Sequence, residues 1–86
     1  MKPEPAFSQA VFRFGAQLDR EKRLEFAAAL RQCVDDDRWK SLPYPHLPGT
    51  LGAKFGGYFF VAVRREDGVL YVKQVAVPMT LDDFLM

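Results

Sequence analysis

The chain has 86 residues, 49% of them hydrophobic with eight Phe, three Tyr and one Trp, and carries 12 Lys and Arg against 11 Asp and Glu, a formal charge of +1. A domain of this size buries only roughly 60–65% of its unfolded surface. Its apolar content nevertheless excludes disorder, and its charge balance gives no overall pull toward nucleic acid or anionic membrane, so any basic surface must be local. One cysteine, Cys33, rules out an internal disulfide, and no Cys/His cluster has zinc-ligand spacing. No stretch approaches the roughly 18 apolar residues of a spanning helix, and MKPEPAFSQAV lacks the apolar segment of an export signal. The expectation is a single cytoplasmic domain over residues 1–86, with no metal, no cofactor and no membrane contact.

In chain order, residues 1–10 with Pro3 and Pro5 read as an extended lead, and Val11-Phe12-Arg13-Phe14 as a short strand stopped by Gly15. Asp19 is an N-cap candidate with Glu21 in the first turn, which predicts a helix from about 19 to 38. Phe26, Ala27, Leu30, Cys33 and Val34 share one face of it, the face that packs into the core. Cys33 on that face reads as a small buried hydrophobe rather than a reactive thiol. Asp35-Asp36-Asp37 meets the negative end of the helix dipole, so the helix frays or ends there.

Residues 41–57 form a Pro/Gly-rich connection with room for only a short strand, and GTLGAKFG lacks the Gly-Lys-Ser/Thr ending of a phosphate-binding loop. After Pro78, Thr80 as N-cap and Asp83 three residues on predict a short C-terminal helical turn. Its apolar Leu81, Phe84 and Leu85 either fold back on the sheet or dock in a partner's groove. The fold class is α+β: a small antiparallel sheet with one long helix on one face.

The stretch from Gly57 to Val77 alternates β-forming residues around Asp67-Gly68. A two-residue turn there pairs Arg65 with Leu70 and Arg64 with Tyr71, and turns Phe59, Val61, Val63, Leu70 and Val72 toward the helix. The opposite face then gathers Arg64, Tyr71 and Lys73, two cations beside a ring that suit a phosphate-bearing, base-stacking ligand. A three-residue loop flips one strand and separates these groups.

Gly57-Tyr58, Val61, Val63, the Asp67-Gly68 turn, Val69-Leu70-Tyr71-Val72, Val75 and Val77 resemble the closing hairpin of the RelE/ParE superfamily of bacterial toxins, over roughly residues 47–77. The resemblance implies a small antiparallel sheet with helices on one face, an antitoxin partner, and either metal-free messenger RNA cleavage on the ribosome or an attack on gyrase. It places Lys54 near the family's basic loop. The chain departs from the family at Phe59, where many members place Arg, in the reduced strand Thr50 to Phe55, in the missing second helix and in the acidic tail. Those departures turn the expectation from an active endoribonuclease toward binding of a macromolecular partner.

Two readings stay open. In the first, a RelE/ParE-like growth inhibitor holds RNA or the ribosome through Lys54, Arg64 and Lys73, with Tyr71 stacking on a base and His46 as the nominal acid/base. In the second, the chain is a protein-interaction module or inhibitor of the phage or mobile-element type. It docks through a sheet edge or the C-terminal peptide, or pairs as a homodimer without catalytic activity.

Overall fold

The structure, a computed structural model, describes residues 4–77. The expected C-terminal turn, with Leu81, Phe84 and Leu85, lies outside them. Five strands, β1 (Ala6–Phe7), β2 (Lys40–Ser41), β3 (Thr50–Phe55), β4 (Tyr58–Arg64) and β5 (Leu70–Ala76), form one sheet in the order β1-β5-β4-β3-β2. The α+β class holds, but the sheet is mixed, because β1 runs parallel to β5 while the other pairs are antiparallel. Two helices, α1 (Gln9–Ala16) and α2 (Arg20–Gln32), stand where one was expected.

Helix α1 corrects the strand expected at Val11–Phe14 and takes in Gln9 and Ala10 at the end of the lead expected over residues 1–10, of which Ala6–Phe7 are strand. The local alternation of Val11, Phe12, Arg13 and Phe14 reads as β, but Val11, Phe14 and Leu18 also recur at helical spacing. Ser8 decides between them. Its extended backbone and its hydroxyl, which accepts from the Val11 amide at 3.3 Å, make it an N-cap. The same hydroxyl donates to the Lys73 carbonyl at 2.6 Å, tying the start of α1 to β5.

Helix α2 begins as expected, with Asp19 accepting from the Lys22 amide at 2.9 Å. It ends at Gln32, well short of residue 38, and a 3-10 turn covers Asp36–Arg38. Phe26 and Cys33 are buried as expected, and so is Ala29, while Val34 is exposed. Ala29 is drawn in because α2 crosses the β3–β4 turn closely: a Cβ at Gly56 would lie 3.3 Å from that of Ala29. Gly56 and Gly57 both have positive φ, the condition for a two-residue hairpin turn with the twist of its strands. The Pro/Gly-rich connection is correspondingly shorter than 41–57, since Thr50–Phe55 is strand, as its sequence allowed.

The core is an aromatic cluster between the helices and one face of the sheet. The Phe26 ring centroid lies 5.4 Å from that of Phe14, 5.1 Å from Tyr58 and 6.0 Å from Phe60. Phe55 continues the cluster to Trp39 at 5.7 Å, and the Trp39 indole N–H donates to the Cys33 carbonyl at 3.0 Å. Tyr58, Phe60 and Ala62 of β4 and Leu70 and Val72 of β5 therefore face the helices. For β4 this is the reverse of the sequence expectation. The loop between the strands has three residues, Glu66-Asp67-Gly68: Arg65 N–H donates to the Val69 carbonyl, and Gly68, at φ +85°, donates back to Arg65. Arg64 consequently pairs with Leu70 rather than Tyr71.

At Gly15 the helices approach so closely that a Cβ would stand 2.8 Å from Cε2 of Phe26, whose ring is held by three aromatic neighbours. Helix propensity alone predicts that Gly15→Ala stabilises by about 1 kcal/mol. The packing predicts the opposite sign, a loss of about 1–3 kcal/mol. Urea unfolding of the two proteins decides: an unchanged or raised midpoint would show that α1 and α2 are not in this contact.

Candidate functional site

The helices cover one face of the sheet, and pairing places Thr50, Gly52 and Lys54 of β3 beside Val63, Val61 and Phe59 of β4 on the other. Lys40 opposes Gly52 and so borders the same open face. The middle of this face is apolar, and its borders are cationic. Over residues 40–77 the sequence holds Lys40, Lys54, Arg64, Arg65 and Lys73 against only Glu66 and Asp67, both in the hairpin loop. Strands β2 to β5 carry no carboxylate, so the charge of the ladders themselves is of one sign.

The expected cluster of Arg64, Tyr71 and Lys73 is split by the three-residue loop. Tyr71 opposes Val63 on the open face, whereas Arg64 has the helix-side parity of Phe60 and Ala62 and donates to the Gly68 carbonyl at 3.2 Å. Arg65 takes the place foreseen for Arg64, its guanidinium 5.0 Å from the Tyr71 ring centroid. Lys73 sits in a β-bulge: Val72 pairs with Ala62 and Gln74 with Val61, leaving Lys73 without a partner on β4. Its backbone carbonyl is met by Ser8, and its side chain is exposed.

Lys54 is exposed at the opposite end of the face. Strand geometry puts it roughly 14 Å from Lys73, two strands across and three residues along. Lys40, which sequence reasoning missed, is its diagonal neighbour at about 7–8 Å. Arg38, also missed, donates to the Lys54 carbonyl at 2.9 Å and stacks 4.8 Å from the Phe55 centroid. The signal was present in Arg38-Trp39-Lys40, where two cations flank a buried anchor. His46 is exposed in the connection between β2 and β3, beyond the Thr50 end of β3 and thus far from Lys54.

No protein-family profile matches the sequence, and no curated protein matches it either. Structure comparison does find a likeness, to the crystal structure of the isolated E. coli RelE toxin, with a TM-score of 0.60 at 16% sequence identity, covering 93% of this chain and 88% of that one. This chain has a RelE-like fold. The resemblance read from the hairpin thus extends over nearly the whole chain, and α1 supplies the second helix that the sequence reading counted as missing.

Within the RelE-like fold, Cys33 is no nucleophile. Its thiol donates to the Ala29 carbonyl at 3.5 Å, and burial pushes its pKa from 9.0 up to about 12. Because the folded value lies above the unfolded one, the neutral thiol supports the fold fully below about pH 9, and that contribution is lost as pH rises toward 12. Wild type should therefore lose stability relative to Cys33→Ala with a slope of up to about 1.4 kcal/mol per pH unit across that window. Parallel slopes in denaturant titrations of the two proteins would contradict this.

Proposed function

We propose that this chain is a toxin-type, RelE-like cytoplasmic protein that binds single-stranded RNA across the open face of its sheet. The observation that carries the reading is the cationic charge of that face, with Lys40 and Lys54 on the β3 side, Lys73 at the bulge and no carboxylate in the strands between. Cations at this spacing meet several phosphates of one strand rather than a single anion. Tyr71, backed by Arg65, offers a ring to an unstacked base, a contact available in single strands and closed off inside a duplex.

Binding, rather than cleavage, is the activity this arrangement supports best. Metal-free cleavage of RNA needs an acid and a base at one phosphate, and His46 lies at the other end of β3 from Lys54. A protein partner of the antitoxin type is a second part of the reading, favoured by the helical layer, where Phe12 is 58%, Leu24 67% and Val34 43% exposed.

Fluorescence anisotropy with labelled single-stranded RNA tests the reading. Affinity should fall steeply with salt, and each of Lys40→Ala, Lys54→Ala and Lys73→Ala should lower the log–log slope by about 0.7–1. Induction in a bacterial host should arrest growth with wild type and not with the triple variant. A folded wild type that neither binds RNA at low salt nor slows growth would defeat the proposal.

A further inference from the structure

Helix α1 lies beside the stretch of β5 that follows its short pairing with β1, which reaches only Tyr71 and Val72. Between α1 and the open face is a groove of about 440 Å³, within the range of small-ligand clefts. Phe59, Val61 and Ala76 form its apolar floor; Arg13 and Gln17 come from one side of α1, and Gln74 from the strand. Among the described residues no carboxylate lines it. Apart from the backbone, its polar chemistry is one guanidinium and two primary amides.

Resting on the RNA reading, we infer that this groove is a nucleobase subsite. The half-buried Phe59 ring supplies a stacking surface, and the amides of Gln17 and Gln74 each offer a donor and an acceptor to a base edge. Arg13 adds a cation for the adjoining phosphate. The position of the groove along the proposed strand is the second argument. Its floor residue Phe59 is the direct cross-strand neighbour of Lys54, and its rim residue Gln74 follows Lys73 in the chain. A strand whose phosphates lie on the two lysines therefore passes over the groove and turns a base into it. The bulge at Lys73 belongs to the same device, because it bends β5 where the groove begins.

The experiment compares a five-residue single-stranded RNA with an abasic ribose-phosphate strand of the same length, titrated against wild type, Phe59→Leu and Gln74→Ala. Wild type should bind the base-bearing strand about a hundredfold tighter, the scale of two lost base–aromatic stacks, one in the groove and one on Tyr71. That ratio should fall about tenfold in both variants, to what the Tyr71 stack alone supplies. Because Phe59 also packs near Gly52, an unfolding curve accompanies Phe59→Leu, and the exposed Gln74→Ala carries the test if that variant fails to fold. Equal affinity of wild type for both strands would overturn the subsite while leaving phosphate binding intact. Variants that keep the wild-type ratio would overturn it as well, and binding of neither strand would defeat both the subsite and the RNA reading.

Discussion

The contact between Gly15 and Phe26 sets the arrangement of everything else. A backbone without a side chain lets α1 come down on the edge of the Phe26 ring, which then touches Phe14, Tyr58 and Phe60 at once. One ring thereby fixes the helices to each other and to the middle strand. Both helices go to the same face, the other face stays open, and α1 is left beside β5, where it walls the groove. A larger residue at position 15 would push α1 away from the ring and, with it, Arg13 and Gln17 away from the strands.

Local chemistry was legible in the sequence wherever one residue decided the outcome. Asp19 capped its helix, and Thr50–Phe55 formed the strand its six residues allowed. The fold likeness was legible too, from the hairpin between Gly57 and Val77. What escaped depended on competition between signals of similar strength. In α1 a four-residue alternation competed with a helical period, and Ser8 tipped the balance by bonding across to β5, a contact at a sequence distance that local patterning does not sense.

The cations of the candidate site were legible in composition, but their geometry was not. Lys54, Tyr71 and Lys73 do lie on the open face, yet Arg64 does not share it, because one additional loop residue changes which side of β4 faces the helices. Asp67-Gly68 is compatible with both a two-residue and a three-residue loop; the burial of Tyr58, Phe60 and Ala62 against α2 selects the longer one. The bulge at Lys73 has no sequence mark at all. It reconciles Leu70 and Val72 with Val75 on the same side, a requirement of the core rather than of the local chain.

The charge pattern of the open face also governs how copies of this chain meet. Phe59, Val61 and Val63 make an apolar stripe of the kind that drives two sheets to stack. Lysines flank that stripe, Lys40 and Lys54 on its β3 side and Lys73 on its β5 side, so any face-to-face approach of two copies brings cation against cation before the apolar surfaces touch. The lysines thus act as colloidal protection for the apolar stripe between them. Added salt screens that repulsion, so dispersal and self-association of this chain become two settings of one electrostatic balance, selected by ionic strength.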